Sequence, residues 1–419
     1  MIDRNENKPG YKKTKVGWIP EEWDLKSLGS FGMFSKGKGI SNSQKKETGI
    51  PCITYGEIYT EHDFIVKEFK SFIDKDTAKT SQTIKENDIL FAGSGETLDE
   101  IGKCVAYTKS VEAYAGGDIV LFSPIGVNCF YLSYSLNSDL INRDKRKLGQ
   151  GYSVVHIYSS SLKMLHIPLP SLPEQKKIAE ILSTWDEAIE RTKKLRDAKK
   201  RCKKALMQKL LTVRNRLPGC NKKWTVYKLS QLLELRNERS KKTNTLPLYS
   251  LTIENGITPK TDRYDREALV KDKDGKQYKK VYPNDIVFNP SNLRWGAIAR
   301  SKLDFPVLVS PIYEVLSVLD ASVSHPIFLS ELLCSENQIR LFASRVEGTL
   351  VERMAVKLNV FLTTKVNIPS DLFEQSKIAD VLSTADDEIK TLEQKLAALE
   401  KQKRGLMQKL LTGEIRVKT

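Results

Sequence analysis

The 419-residue sequence lacks the hallmarks of several protein classes. No stretch reaches the length of about 18 apolar residues that a membrane-spanning helix needs. The opening segment MIDRNENKPGYKKTK contains no apolar core, so it does not have the form of a secretory signal. The six cysteines include no CxxC pair. This favours reduced thiols in a cytoplasmic protein over a zinc site or a disulfide framework.

Motifs that carry catalysis are also missing or incomplete. The sequence has no G-x-x-x-x-G-K-[ST] loop for nucleotide phosphates, and its four histidines lack the spacing of a metal pair. FAGSG at 91–95 matches the glycine loop of S-adenosylmethionine-dependent methyltransferases, but ETLDEIG follows it where a long helix should begin. NPSN at 289–292 lacks the second proline and the ring of the motif that holds a flipped adenine. We therefore predict no catalytic residues, no metal and no cofactor.

Positive charge, in contrast, is abundant. The chain has 68 lysines and arginines against 52 acidic residues, which gives a formal net charge of +16. Such a surplus suits a polyanionic partner, most often nucleic acid and less often an anionic membrane surface. The hydrophobic fraction of 40% is sufficient for real cores in a chain with room for about two to four domains.

A repeat with a period of 200 residues organises the chain. LMQKLLT occurs at 206–212 and again at 406–412, and the segments 174–212 and 374–412 are identical at 19 of 39 aligned positions. Fainter matches precede each long copy, with ENDILF resembling PNDIVF, each predicting a turn followed by a short strand that enters a core. The sequence between these landmarks diverges. It therefore predicts two mixed α/β domains with a shared frame and different loops.

Each copy of the 39-residue segment predicts one long helix, on the order of 58 Å in length. Apolar residues recur at steps of three and four, which is the spacing of a coiled-coil seam. The first copy carries Thr192, Arg196, Lys199 and Lys203 in the middle of this register, which predicts tight packing at the ends and a looser, wetter middle. The predicted seam comprises Ile178, Leu182, Trp185, Ile189, Leu206 and Leu210 in the first helix, and Ile378, Leu382, Ile389, Leu392, Leu396, Leu399, Leu406 and Leu410 in the second.

These features together resemble the specificity subunit of a type I restriction–modification system. The resemblance rests on IPLPSLPEQKKIAEIL with IPSDLFEQSKIADVL, on the paired LMQKLLT and on the opening GWIPEEW, and it covers essentially the whole chain. It implies an α/β (α+β) fold with two target-recognition domains, each reading half of a split double-stranded DNA site. It further implies an antiparallel coiled coil that sets the spacing, docked methyltransferase subunits, most naturally two, and restriction subunits joined through the complex.

The predicted domain order follows from this resemblance. The tail after the second helix has no domain behind it, and the N-terminal segment could supply the missing continuation, so the chain is expected to be organised as a circle with an internal pseudo-twofold repeat. The expected segments are a first recognition domain at 1–170, a first helix at 171–213, a second recognition domain at 214–371, a second helix at 372–413, and a tail at 414–419 that pairs with the N-terminal segment.

Basic loops supply the candidate DNA contacts. Lysine and arginine in loops suit phosphates, and arginine, asparagine or glutamine at a loop tip suits base edges, for which Asn292 and Arg294 are the preferred candidates. The full candidate set is Lys36, Lys38, Arg143, Lys145, Arg146, Gln150, Tyr152, Arg236, Arg239, Lys241, Asn292, Arg294 and Trp295.

Two alternatives stay open at the level of sequence. The basic run at 193–204 could contact DNA phosphates or an acidic partner surface, or it could be a solvated helix face. The chain could also be a fused enzyme that methylates or cuts DNA on its own, although such an enzyme needs several hundred further residues. A coiled-coil scaffold without a DNA role is disfavoured by the positive charge and the two loop-rich domains.

Overall fold

The computed structural model describes residues 5–151, 153–213, 216–260, 277–348 and 354–418. The chain divides into two compact units, unit 1 (Met1–Thr192 with Lys395–Thr419) and unit 2 (Lys193–Gln394). Both divisions fall near the middle of a long helix. Each unit therefore contains one half of each helix, because the two ends of a helix pack against different globular parts.

Unit 1 is built from short strands and helices that precede the first long helix. Its strands are β1 Tyr11–Thr14, β2 Gly17–Pro20, β3 Asp24–Ser27, β4 Gly32–Lys36, β5 Ile50–Ile53, β6 Ser71–Ile73, β7 Gln82–Ile84, β8 Ile89–Ala92, β9 Ser94–Gly95, β10 Cys104–Ala106, β11 Ala113–Ala115, β12 Ile119–Pro124, β13 Val155–His156 and β14 His166–Leu169. Its helices are α1 Tyr55–Thr60, α2 Lys75–Thr80, α3 Cys129–Leu136, α4 Asp139–Leu148, α5 Ser159–Leu162 and the first half of α6 Leu172–Leu210.

Unit 2 repeats this plan, with fewer strands among its described residues. Its strands are β15 Trp224–Lys228, β16 Leu233–Leu235, β17 Arg239–Ser240, β18 Tyr249–Thr252, β19 Gly256–Pro259, β20 Tyr278–Val281, β21 Ile286–Phe288, β22 Ile298–Arg300, β23 Val307–Val309, β24 Glu314–Val318 and β25 Lys365–Pro369. Its helices are α7 Pro326–Leu333, α8 Glu336–Ala343, α9 Leu358–Leu362 and the first half of α10 Leu372–Leu411.

Each unit contains its own central antiparallel sheet of four strands. The strand order is β10-β8-β12-β4 in unit 1 and β22-β21-β24-β16 in unit 2. If the four strands of each sheet are numbered along the chain, both sheets have the order third, second, fourth, first. In each unit a two-stranded ribbon, β14 with β3 or β25 with β15, leads into the long helix. The other sheets differ, with β6-β5-β11-β7 in unit 1 and β17-β20-β23 in unit 2. The predicted mixed α/β class with a repeated frame is confirmed.

The predicted turns before β8 and β21 are confirmed and have a common construction. Asn87 and Asn284 adopt left-handed backbone angles, with φ of 71° and 69°, which asparagine tolerates better than most residues. The next residue in each turn, Asp88 or Asp285, is buried and accepts the backbone N–H of the residue three positions earlier at 2.8 Å. The repeated Asn-Asp pair therefore closes the turn that aims each strand into the core.

The long helices pack antiparallel within each unit. In unit 1, Ile178 and Leu182 from the start of α6 share a core with Met407 and Leu410 from the end of α10. In unit 2 the roles are exchanged, and Ile378 and Leu382 of α10 share a core with Leu206, Met207 and Leu210 of α6. Gly405 lies inside α10 without ending it, since a single helical glycine costs only about 1 kcal/mol.

The seam positions are buried to different degrees. Arg196, Lys199 and Lys203 are half-buried in the polar middle of α6, while Thr192 is buried. Among the apolar seam residues, the buried ones are Ile178, Leu182, Ile189, Ile378, Leu382, Ile389, Leu396 and Leu410, and the half-buried ones are Trp185, Leu206, Leu210, Leu392, Leu399 and Leu406.

Candidate nucleic-acid interface and its frame

A buried glutamate lies in the first turn of each long helix, Glu174 in α6 and Glu374 in α10, and organises the repeated set of contacts that we call the frame. In unit 1, Glu174 accepts the indole N–H of Trp23 at 3.2 Å and the Nε–H of Arg416 at 2.7 Å. In unit 2, Glu374 accepts the indole N–H of Trp224 at 3.4 Å and the Nε–H of Arg216 at 2.7 Å. These hydrogen bonds raise the pKa of both guanidinium groups, although burial of the arginines opposes the rise. Each glutamate thus ties the long helix to its neighbouring segments.

The two arginines of the frame are residues that sequence reasoning missed. Arg216 and Arg416 are 200 positions apart, and each follows the shared threonine of LMQKLLT by four residues. This spacing was the available signal. The residues between the threonine and the arginine differ completely, so the alignment of the two copies ends at the threonine.

The glutamine after each glutamate fixes a second helix of the unit. The Oε1 atom of Gln175 accepts the backbone N–H of Asn128, the N-cap of α3, at 2.9 Å. The Oε1 atom of Gln375 accepts the backbone N–H of His325, the N-cap of α7, at 2.8 Å. Both side-chain amides also donate to a proline carbonyl at the end of the preceding strand at 2.8 Å. The repeated Glu-Gln pair is therefore structural.

The C-terminal tail lies against the N-terminal segment within unit 1. The hydroxyl of Tyr11 donates to the carbonyl of Gly413 at 2.5 Å, and the side-chain amide of Asn5 donates to the carbonyl of Thr412 at 3.1 Å. Gly413 has a φ of +71°, and a Cβ there would fall 2.4 Å from Pro20 Cγ. A larger residue at position 413 could not make this approach.

Most of the predicted DNA contacts lie on the surface of their own unit. Arg146 pairs with Asp99 at 3.1 Å, and Tyr152 lies outside the described residues. Arg294 is half-buried. The exposed candidates are Lys36, Lys38, Arg143, Arg146 and Gln150 in unit 1, and Arg239, Lys241, Asn292 and Trp295 in unit 2.

The prediction is wrong for Lys145. Its side chain is buried in α4, its exposed fraction is 1%, and its Nζ donates to the carbonyl of Gly102 at 2.7 Å. Burial lowers its pKa to about 8, because the charged ammonium loses its hydration. Lys145 follows the buried Ile141 by four residues and so lies on the same helix face. It holds the fold together and cannot reach a phosphate from this position.

Arg236 is also engaged inside its unit. Its Nε and Nη2 atoms donate to the two carboxylate oxygens of Asp285 at 2.8 and 3.2 Å. Its guanidinium lies 4.8 Å from the ring centroid of Tyr282. Since Asp285 closes the turn before β21, Arg236 supports that turn, and its assignment to phosphate contact is not favoured.

The loop from Asn289 to Ala297 presents the preferred base-reading candidates on a fixed support. Leu293 anchors a single helical turn, Leu293–Trp295, in the core with no exposed surface. The backbone N–H of Asn289 donates to the carbonyl of Ala297 at 3.0 Å and so closes the loop at its base. Trp295 keeps 64% of its surface exposed beside the Arg294 guanidinium, 5.2 Å from its ring centroid. An exposed aromatic ring and an adjacent cation suit contact with nucleic-acid bases.

Much of the basic run at 193–204 is neutralised inside unit 2. Lys199 pairs with Glu388 at 2.6 Å, Lys200 with Glu393 at 2.7 Å, and Lys204 with Glu336 at 3.0 Å. Glu388 and Glu393 lie on the facing stretch of α10, as does Asp386, which pairs with Lys203 at 2.7 Å. The run therefore links α6 to α10 through ion pairs. Neither a face that contacts DNA nor a purely solvated face would need such pairs.

The two segments considered for cofactor or base binding have simple structural roles. FAGSG forms the end of β8 and the short strand β9, which pairs with β13, and turns follow it in place of a helix. NPSN leads into the helical turn at Leu293–Trp295. Within the described residues, no helix is long and apolar enough to span a membrane.

The comparisons with known proteins agree with the duplicated frame. Residues 20–198 match the type I restriction modification DNA specificity domain. The chain is 26% identical to the type I restriction enzyme MjaVIII specificity subunit of Methanocaldococcus jannaschii, over 96% of this chain and 94% of that protein. It is 28% identical to the MjaIX specificity subunit of the same organism, over 44% of this chain and 42% of that protein.

A solved structure shares the fold. The type I restriction–modification S subunit from M. genitalium matches with a TM-score of 0.58 and 15% identity, covering 93% of this chain and 96% of that chain. Over nearly its whole length the chain is therefore similar to specificity subunits of type I restriction–modification systems, and the resemblance drawn from its sequence is confirmed.

Proposed function

We propose that this protein reads a bipartite DNA site for a type I restriction–modification complex, with one half-site contacted by each unit. The duplicated frame carries this proposal. The same buried glutamate, glutamine and tryptophan recur in both units, together with an arginine that pairs with the glutamate, while the loops that the frame supports differ. A constant frame with divergent exposed loops is the arrangement expected when two different short sequences are recognised in the same way.

The exposed residues fall into two groups, one suited to phosphate contact and one suited to base reading. Lys36, Lys38 and Arg143 in unit 1, and Arg239 and Lys241 in unit 2, suit phosphate oxygens, which fix position without reading sequence. In unit 2, the tip at Asn292–Trp295 suits the base edges, since asparagine and arginine offer directional hydrogen bonds to adenine and guanine. Its anchored backbone keeps these side chains in a defined direction.

The partners follow from the same duplication. Two equivalent frames offer two equivalent docking surfaces, so two methyltransferase subunits should bind, with the restriction subunits joining through that assembly. The fused-enzyme alternative is not supported, because the MjaVIII relative is a specificity subunit that the chain covers over 94% of its length. The methyl transfer and the cleavage therefore belong to the partner subunits.

A reconstitution assay tests this division. The purified chain alone should transfer no labelled methyl group to DNA, and the same chain with methyltransferase subunits should modify one defined bipartite site. The mass of the reconstituted complex should correspond to two methyltransferase copies. Appreciable methyl transfer by the chain alone would refute the non-catalytic assignment, and a single bound copy at saturation would refute the two equivalent docking surfaces.

A further inference from the structure

A lysine, buried in unit 1 and half-buried in unit 2, lies where the two long helices meet the globular part of each unit. In unit 1, the Nζ of Lys403 in α10 is 2.5 Å from Asp186 Oδ1 in α6. In unit 2, the Nζ of Lys203 in α6 is 2.7 Å from Asp386 Oδ1 in α10. Both lysines and both aspartates recur with the period of 200 residues. The same ion pair is therefore built twice, with the two helices exchanging roles.

A third residue brings the globular part into each ion pair. Helices α3 and α7 are equivalent, and their N-caps are Asn128 and His325. The residue six positions after the N-cap is Tyr134 in α3 and Glu331 in α7. The Tyr134 hydroxyl donates to Asp186 Oδ2 at 2.6 Å, and its ring centroid lies 5.1 Å from the Nζ of Lys403. Glu331 Oε2 accepts from Lys203 at 3.1 Å. We call each of these three-element contacts a joint.

The two joints balance their charges in different ways. In the unit 1 joint, one lysine faces one aspartate, and the Phe64 ring, 3.8 Å from Nζ, covers the cation. The unit 2 joint adds the anion Glu331, and it also adds a cation, because Lys302 pairs with Asp386 at 2.7 Å. Among these directly paired side chains, cations and anions are equal in number in each joint. The charged Glu331 is thus accompanied by an additional cation, Lys302, and the neutral Tyr134 by the Phe64 ring.

The titration of the joint residues agrees with this geometry. Burial raises the pKa of Asp386, but the hydrogen bonds from Lys203 and Lys302 outweigh that effect, and the net pKa is lowered. Burial likewise lowers the pKa of Lys203, but Glu331 and Asp386 outweigh it and the net pKa is raised. For Lys403 burial prevails over Asp186, so its pKa is lowered.

A buried ion pair contributes little net stability, because desolvation offsets much of the attraction, but it demands a defined geometry. The apolar seam is less demanding, since non-directional contacts tolerate small shifts of one helix along the other. A one-residue slip of α6 past α10 moves the partners by about 1.5 Å and disturbs both joints. The joints are thus the directional contacts between the helices and α3 or α7.

We propose that Lys403 and Lys203 are positioning residues that fix how each globular part is held on the two helices, and that they thereby restrict the DNA spacer lengths that the protein accepts. This inference rests on the proposed function. It predicts that loosening one joint leaves the recognised half-sites unchanged and widens the accepted spacer.

The test uses the complex of the full chain with its methyltransferase subunits. Methylation rates are measured on duplexes that carry the native half-sites with the native spacer, or with a spacer one base pair shorter or longer. In the Lys403→Met complex, the preference for the native spacer should fall about tenfold, equivalent to about 1.4 kcal/mol of discrimination. The preference for native over altered half-sites should stay within about twofold, a change of about 0.4 kcal/mol.

Two further variants make the result interpretable. Lys401→Met removes an exposed cation two residues away on the same helix and should leave both preferences unchanged. The double variant Lys403→Met/Asp186→Leu replaces the ion pair by apolar groups, which keeps folding intact while removing the directional contact. It should show the same loss of spacer preference.

The possible outcomes separate the inference from the proposed function. If Lys403→Met and the double variant keep the wild-type spacer preference, the joint does not position the globular part, and half-site recognition still stands. If they slow methylation of all three spacers equally, the joint is merely structural and the inference is also overturned. If the wild-type complex modifies duplexes without regard to their half-sites, the proposed function itself fails and the inference falls with it.

Discussion

Inserting four residues into both long helices is expected to lengthen the unspecified DNA spacer by about two base pairs, since four residues add about 6 Å and one base-pair step spans about 3.4 Å. The insertions belong between Lys194 and Leu195 and between Gln394 and Lys395. These points lie between Asp186 and Lys203 in α6, and between Asp386 and Lys403 in α10. Both lysine–aspartate pairs therefore keep their partners after the change.

The helical phase also favours this length of insertion. Four residues exceed one helical turn by about 40°, so the seam residues stay near the facing helix. The half-site bases should remain unchanged, because the loops that contact them are untouched. Genome-wide mapping of methylated bases in cells that carry the variant gives both quantities. An unchanged spacer length would show that the helices do not set the distance between the half-sites.

An insertion in one helix alone supplies the control. Four extra residues in α6 only would shift its second half by about 6 Å along α10, which separates Lys203 from Asp386 or breaks the packing at the other end. This variant should lose site-specific methylation. If it behaved like the double insertion, the antiparallel pairing of the helices could not be setting the spacing.

Removing the buried carboxylate of unit 2 should weaken that unit selectively. In Glu374→Ala, the indole N–H of Trp224 and the guanidinium of Arg216 lose their shared acceptor. We expect the unfolding free energy of unit 2 to fall by about 2 kcal/mol, near the contribution of a hydrogen bond to a charged group. For a domain of this size, that corresponds to a melting temperature lower by about 4–8 °C.

The duplicated frame provides the matched variant. Glu174→Ala should destabilise unit 1 in the same way and leave unit 2 unaffected. Hydrogen exchange resolved by segment distinguishes the two: Glu374→Ala should accelerate exchange in β15 and β25, and Glu174→Ala in β3 and β14. Equal acceleration in both units from either substitution would contradict the separate frames.

The sequence predicts the repeated parts of this protein well. Identical residues 200 positions apart indicated the long helices, and the Asn-Asp pair indicated the strands β8 and β21. Both signals are local, since helical spacing and a left-handed turn depend on near neighbours along the chain. The repeated ion pair was visible only as matching letters, because its partners lie on different helices.

Side-chain contacts across the fold could not be predicted in this way. A basic run on a helix does not reveal whether carboxylates face it, so the pairing of Lys199 with Glu388 emerged only from the structure. Lys145 was assigned to DNA because lysine is usually exposed, whereas the turn at Gly102 offers it a buried carbonyl. Surface loops, which carry the candidate DNA contacts, have the least sequence signal.

We propose above all that this chain determines which DNA sequence its complex modifies. Mapping methylated bases across the host genome, with the gene intact and with it deleted, tests this most directly. We predict one bipartite motif with a fixed unspecified spacer that is methylated only when the gene is present. Persistence of the same methylated motif after deletion, or an undivided motif in its place, would contradict the claim.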